Sequence, residues 1–417
     1  MTMEPMRDIS ATEASREQPG NGGKTYSRGP LRGLNSNVVK LGIVSFFADV
    51  SSEMLYPLIP IFLTAVLGAP MAIVGVIEGA AEATASLLKT VSGRISDVTG
   101  RRRPFVLAGY GISALAKPLI AIAAGWPLVL VARVADRFGK GLRVSPRDAL
   151  VADSVTPEFR GRAFGWHRAM DTAGAVLGPL IALALLSLLH EDLRVIFLIS
   201  FIPGILGAAT VLTVRERRRP PQESQSVTIS FGRMPRPFRS YLRAWGIFAI
   251  ANSSDVFLIL KAKQVGFTTS TVVLAYVFYN FIYAAASPFL GHLSDKVGRK
   301  EVLAGGLFVF AAVYAGFAIS VAGWHIWALF GVYGLYTAAT DGVGKAFAVD
   351  LVPEEIRASA LGLLGTVSGI AALVASSVAG ALWSGIGSWA AFAYGAAGAL
   401  IGALFLLQIP HKGKFGG

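Results

Sequence analysis

Twelve stretches of about 20 mostly apolar residues run through the 417-residue chain, and each is long enough to cross a bilayer as a helix. Charged residues make up only 15% of the sequence, against roughly 25% in soluble domains. The stretches mostly lack the polar face that a soluble helix presents to water. The sequence therefore predicts an all-α membrane protein with 12 transmembrane helices. The predicted spans fall near residues 39–65, 71–91, 104–124, 126–147, 162–189, 194–214, 241–263, 270–290, 301–321, 326–347, 358–384 and 388–409.

Basic residues give the chain a formal net charge of +13, and most of them lie in alternate loops. Segments 89–103 and 215–243 are rich in Lys and Arg, whereas 67–70 and 125–127 contain neither. The positive-inside rule then predicts an inner (plasma) membrane protein with both termini in the cytoplasm. A nucleic-acid partner would require aromatic residues interleaved with a basic face, so none is expected.

The chain contains no cysteine, which excludes disulfides, thiolate nucleophiles and Cys-ligated metals. Gly139-Lys140-Gly141 lacks the spacing of a phosphate-binding loop, and we interpret residues 137–148 as a charged helix end at the membrane surface. The five histidines are scattered. We therefore expect no enzymatic activity, no cofactor and no dedicated metal site.

The two halves of the chain repeat one another. Gly93–Arg102 follows the second predicted span, and Gly291–Lys300 follows the eighth at an offset of 198 residues. A weaker pair is Ser51–Glu53 against Ser253–Asp255. Such repeats in a twelve-span chain indicate a transporter built from two bundles with a binding site between them.

The repeated Gly-x-x-x-Asp-x-x-Gly-Arg-Arg/Lys pattern resembles the signature of the major facilitator superfamily, and the resemblance covers residues 39–411. It implies two pseudo-symmetric six-helix bundles that rock around a cavity, a small-molecule substrate, a lipid bilayer and a monomer. The expected parts are a flexible cytoplasmic tail (1–38), a first bundle (39–214), a cytoplasmic linker (215–243), a second bundle (244–411) and a cytoplasmic tail (412–417).

The resemblance also implies that the signature forms a conformational latch. Glycine allows helices to approach closely, Asp97 can accept hydrogen bonds at a helix N-terminus, and the arginines can pair with carboxylates. An ordinary charged turn that sets topology is the alternative. The candidate latch residues are Gly93, Asp97, Arg101, Gly291, Asp295 and Arg299.

Ionisable residues inside the predicted spans are the candidates for proton coupling, because a charge at mid-membrane costs at least about 2.5–3.5 kcal/mol. Asp49 and Glu53 lie one helical turn apart on the first span, and in the family spans 1, 4, 7 and 10 line the cavity. The alternative is a permanent ion pair of either acid with Arg133 or Lys117. The coupling candidates are Asp49, Glu53, Asp136, Asp171 and Asp255.

Polar and aromatic residues in the same spans are the candidates for the substrate cavity. Tyr276, Tyr279, Asn280 and Tyr283 share one face of the eighth span, and aromatic rings beside carboxylates suit amphipathic or cationic solutes. Interfacial belts and helix packing are the alternative explanation. The full candidate set is Asp49, Glu53, Tyr56, Arg133, His167, Asn252, Ser254, Asp255, Tyr276, Tyr279, Asn280, Tyr283, Tyr333 and Tyr336.

The fifth span carries Gly174, Gly178 and Pro179, similar to the glycine–proline signature of the family's antiporters. The likeness is incomplete because Ala182 and Leu183 stand where paired glycines are common, and helix packing explains the same residues. The motif favours a proton-coupled exporter of small organic solutes.

Three other functions stay open from the sequence. One is a proton- or sodium-coupled importer of an anionic metabolite that pairs with Arg133 or Lys261. Another is a divalent-cation exporter that uses Asp49, Glu53 and Asp255. A membrane receptor or scaffold that binds a partner through the basic linker is the hypothesis from outside transport.

Overall fold

The computed structural model describes residues 34–216, 232 and 234–409, and its regular structure in these residues is helical. Most of the predicted tails and linker lies outside this part of the chain, although α1 and α8 begin within the predicted tail and linker. The helices are α1 (Ser36–Glu53), α2 (Ile59–Ile61), α3 (Met71–Thr99), α4 (Arg103–Ala121), α5 (Trp126–Asp153), α6 (Arg160–Leu188), α7 (Leu193–Val211), α8 (Arg236–Ala249), α9 (Val256–Gln264), α10 (Thr269–Val297), α11 (Arg299–Ile319), α12 (Gly323–Asp350), α13 (Arg357–Gly385) and α14 (Ser388–Leu407).

The helices form twelve membrane spans, as predicted, and two of the spans are broken. The first consists of α1, α2 and a π-helical turn at Phe62–Val66, and α8 with α9 forms the seventh. The breaks lie at residues 54–58 and 250–255, next to the repeated Ser-Ser-acid sequences. The weak internal repeat therefore marks a shared backbone interruption that frees polar groups at corresponding places in the two bundles.

The apolar character of the spans is uneven. Eight helices are long and apolar enough to cross a membrane by length and composition: α3, α4, α6, α7, α10, α11, α13 and α14. The remaining spans are the first, fourth, seventh and tenth. Within the seventh, residues 256–262 of α9 are all buried. Spans shielded from lipid can carry polar and charged residues at a lower cost, so these four are suited to line an interior site.

The two bundles, α1–α7 and α8–α14, meet along α3 and α13. A Cβ added to Gly75 would overlap the Ser376 carbonyl, and one added to Gly79 would lie 2.8 Å from the Cα of Leu373. Near the helix ends, the Ala72 N–H donates to Ser384 Oγ over 3.0 Å. Small residues thus let the backbones of the bundles touch, as they do where membrane helices pack without a hydrophobic driving force.

Candidate functional site

Glu53, the last residue of α1, lies where the two bundles meet. The Tyr276 hydroxyl of α10 donates to Glu53 Oε2 over 2.9 Å, which joins the first bundle to the second. The break that follows Glu53 includes Pro57, which has no N–H and cannot continue the backbone ladder. A carboxylate is therefore held at a helix interruption by a phenol from the opposite bundle.

The tyrosines of α10 contact three different carboxylates. Besides the Tyr276 contact, Tyr279 donates to Asp255 over 3.5 Å, and Tyr283 donates to Asp341 over 3.0 Å. The fourth member of the predicted stripe, Asn280, donates to the Tyr276 carbonyl of its own helix. The phenols thus face the acids, while the amide is used within α10.

Asp255 and the aromatic rings extend the site into the second bundle. The Tyr333 hydroxyl donates to Asp255 Oδ1 over 2.6 Å. Ring centroids lie 5.4 Å apart for Tyr56 and Tyr276, 5.9 Å for Tyr276 and Tyr279 and 5.3 Å for Tyr279 and Tyr333. Tyr336 continues the row at 5.2 Å from Tyr333. An aromatic wall therefore crosses the boundary between the bundles.

Arg133, predicted to bind substrate, is bound to Glu78 of α3. Its Nε lies 2.9 Å from Glu78 Oε1 and its Nη2 lies 2.6 Å from Oε2, a bidentate pair between two buried side chains. Asp136 lies 3.6 Å from Lys117 Nζ and 3.8 Å from Arg133 Nη1. These charges are satisfied inside the first bundle, and the predicted pairing of Asp49 or Glu53 with Arg133 or Lys117 is absent among the described residues.

A pocket opens on the inner face of the first bundle, between α1, α2, α4 and α5. Both Arg137 and Lys140 lie in its wall, so our interpretation of them as part of a surface helix end is wrong. Their spacing from Arg133 places the three cations on one helix face, which is the signal that could have located them. The lining residues are Asp49, Ser52, Glu53, Leu55, Tyr56, Ile59, Ala116, Lys117, Ile120, Arg133, Asp136, Arg137, Lys140 and Arg143.

Asp171 and His167 lie within the first bundle and do not line this pocket. Asp171 accepts a hydrogen bond from Ser45 of α1, and the His167 Nδ1 lies 3.6 Å from Asp171 Oδ2. Asn252 and Ser254 lie in the break between α8 and α9, where the Ser254 N–H donates to Ser376 Oγ over 3.1 Å. Among the described residues, no group of three or more His, Asp or Glu side chains could hold a metal ion.

Comparison with known proteins identifies the fold family. The family model of the Major Facilitator Superfamily matches residues 41–260 and again 244–415, one match for each bundle. The chain belongs to the major facilitator superfamily. It is therefore a membrane-embedded transporter of small molecules, and the predicted architecture of two six-helix bundles is confirmed.

Several superfamily members are similar in sequence or structure. An uncharacterized MFS-type transporter of Methanocaldococcus jannaschii is 36% identical over 91% of this chain and 96% of its own length. The class C tetracycline resistance protein of Escherichia coli is 36% identical, over 33% of this chain and 35% of that protein. The crystal structure of the nucleoside transporter NupG has a TM-score of 0.74 and 13% identity, and the match covers 90% of this chain and all of NupG.

The superfamily signature forms charged clusters at the ends of α3 and α10. In the first bundle Arg102, rather than the predicted Arg101, pairs with Asp97 at 3.1 Å and also with Asp153. Arg102 directly precedes α4 and lies beside the end of α3, which explains the difference. In the second bundle, Arg299 lies 3.4 Å from Asp295 and 2.8 Å from Asp350.

The signature glycines differ in their surroundings. A Cβ added to Gly93 would lie 3.0 Å from Ser145 Cβ of α5, so Gly93 permits a close contact inside the first bundle. The corresponding Gly291 has no atom within 4 Å of such a Cβ. The structure therefore brings the charged members of the predicted latch together and leaves Gly291 without a close neighbour.

The glycines of α6 pack directly behind the acids of α1. A Cβ added to Gly174 would lie 2.9 Å from Asp49 Cβ, and one added to Gly178 would lie 3.0 Å from Glu53 Cβ. Pro179 follows within the same helix. The antiporter-like motif thus sets the distance between α6 and the part of α1 that carries both acids.

Proposed function

We propose that this superfamily member is a proton-coupled exporter of small organic solutes, in which the two bundles rock and expose the site alternately to each side of the inner membrane. The contact between Glu53 and Tyr276 carries the proposal. Rocking would separate α1 from α10 and remove the phenol that donates to the carboxylate. A carboxyl whose hydrogen-bonding and hydration change with conformation can bind a proton on one side and release it on the other.

The other acids support different roles. Asp49 lies one turn before Glu53 in the same pocket and is the second coupling candidate. Asp255 has a matching position in the second bundle, where it accepts from Tyr333 and Tyr279. Asp136 is enclosed by Lys117 and Arg133, which favours a structural role. We therefore place coupling at Glu53, with Asp49 beside it.

Export is supported by relatives named for resistance. The class C tetracycline resistance protein shares 36% identity over 140 residues, and the multidrug resistance protein MdtH of Photorhabdus laumondii shares 33% over 128 residues. Import through Arg133 or Lys261 has less support, since Arg133 is bound to Glu78 and the Lys261 Nζ lies 3.4 Å from Ser388 Oγ. We place the terminal side of the bundles in the cytoplasm, following the distribution of basic residues.

Flux in proteoliposomes with an imposed pH gradient tests this function. Across a panel of drug-like solutes, we expect transport opposite in direction to the proton flow. Glu53→Gln keeps the size of the side chain but cannot release a proton, so the gradient should no longer drive accumulation. Glu354→Gln is the matched control because that side chain is 83% exposed. A variant at Glu53 that responds to the gradient as the unsubstituted protein does would refute coupling at this residue.

A further inference from the structure

Five basic residues follow one face of α5. Arg133, Arg137, Lys140, Arg143 and Arg147 are spaced by three or four residues, so their side chains lie along the same side of the helix. Four of them, all but Arg147, line the pocket of the first bundle. A row of cations inside a membrane protein is costly unless each is paired or hydrated, so the partner of each cation identifies its role.

Three of the five have partners within the protein. Arg133 forms the bidentate pair with Glu78. Arg143 donates to Ser113 Oγ over 2.6 Å and lies over the Tyr110 ring. Arg147 pairs with Asp148 at 2.9 Å. These contacts hold α5 to its neighbours, which is a structural role.

Arg137 and Lys140 remain. In the part of the chain that the structure describes, neither forms a hydrogen bond or an ion pair within 4.0 Å. Glu82 attracts both electrostatically, and Asp49 attracts Lys140, but neither acid is in contact with them. Two cations one turn apart therefore point into a pocket without a bound counter-charge.

The rest of the pocket offers apolar surface next to this pair. Leu55, Tyr56, Ile59 and Ile120 line the same space, and the Tyr56 ring stacks toward Tyr276 of the second bundle. An occupant that fits both features carries a negative group at one end and an apolar or aromatic body at the other.

We propose that Arg137 and Lys140 bind the carboxylate of an amphipathic organic acid, and that such acids are the substrate class of this pocket. The inference rests on the proposed transport function and assigns the substrate group to residues other than those that hold the proton. It also separates two sets of cations on α5: Arg133, Arg143 and Arg147 maintain the bundle, while Arg137 and Lys140 bind the solute.

Calorimetric titration of the full-length protein in lipid nanodiscs tests the assignment without any gradient. The probes are 2-naphthoate, 2-naphthylmethanol and 2-naphthylmethylammonium, which share one ring system and differ in charge. We expect 2-naphthoate to bind most tightly, and Arg137→Gln and Lys140→Gln each to weaken it about tenfold, as for the loss of one ion pair. The affinity of the neutral alcohol should not change in either variant.

Two further variants complete the test. Arg94→Gln removes an exposed cation of α3 outside the pocket and should leave naphthoate binding unchanged, whereas Arg137→Lys should retain most of it. Lys140 is exposed, so Lys140→Gln keeps the test valid if Arg137→Gln does not fold. Failure of the unsubstituted protein to bind 2-naphthoate, or binding that survives both substitutions, would overturn the assignment. Because no flux is measured, a failure of proton coupling at Glu53 would not produce either result.

Discussion

At the scale of single residues, the ionisable groups of the first bundle divide by their partners. Glu78, Arg133, Asp136 and Lys117 satisfy one another inside the bundle, whereas Glu53 is held by a phenol from the opposite bundle. A buried charge that loses its partner is strongly destabilising. The first group is therefore expected to control stability and Glu53 to control transport.

The pair of Glu78 and Arg133 gives the prediction at this scale. Glu78→Gln would leave the buried Arg133 guanidinium with only the longer contact to Asp136 at 3.8 Å. We expect the free energy of unfolding to fall by about 3–5 kcal/mol, measured by thermal or denaturant unfolding in detergent. Glu354→Gln, at an exposed site, is the control. Equal stability of Glu78→Gln and the unsubstituted protein would show that the pair contributes little.

At the scale of the elements, glycine positions control how closely helices approach the acids. Gly178 of α6 meets the Val50 carbonyl and Glu53 Cβ of α1, so a side chain there would push α1 away. Gly165 lies on the same helix with open space around it. The two positions offer the same substitution in one helix with opposite steric consequences.

Gly178→Val should therefore destabilise the protein by about 1–3 kcal/mol through overpacking and should also displace Glu53. Gly165→Val should have a much smaller effect on stability, since β-branched residues are tolerated in membrane helices when space allows. Thermal unfolding of the two variants checks this difference. If both substitutions lowered the melting temperature equally, helix propensity rather than the contact between α6 and α1 would explain the result.

The sequence predicted local and repeated features well. Apolar length located the twelve spans, and the offset of the two signature copies predicted the two bundles. Pairing between helices was harder to predict, because Glu78 and Arg133 are 55 residues apart in the chain and either partner could equally have faced substrate. The choice of Arg102 over Arg101 depends on where α3 ends and α4 begins, which hydropathy locates only to within a few residues.

At the scale of the whole molecule, the two bundles enclose polar spans between them and meet through small residues of α3 and α13. The contact between Ala72 and Ser384 lies at the ends of these helices away from the chain termini. In the proposed cycle this contact opens as the opposite side closes. The pocket that contains Ser52 and Glu53 would then be reached from each side in turn.

Labelling of one pocket cysteine tests this alternation most directly. The chain has no cysteine of its own, so Ser52→Cys in the pocket wall would be the only site for a membrane-impermeant maleimide added to oriented vesicles. The account predicts labelling from either side, and loss of labelling from the side of Ala72 when Ala72→Cys and Ser384→Cys are first joined by a disulfide. Labelling from one side alone under all conditions would contradict alternating access.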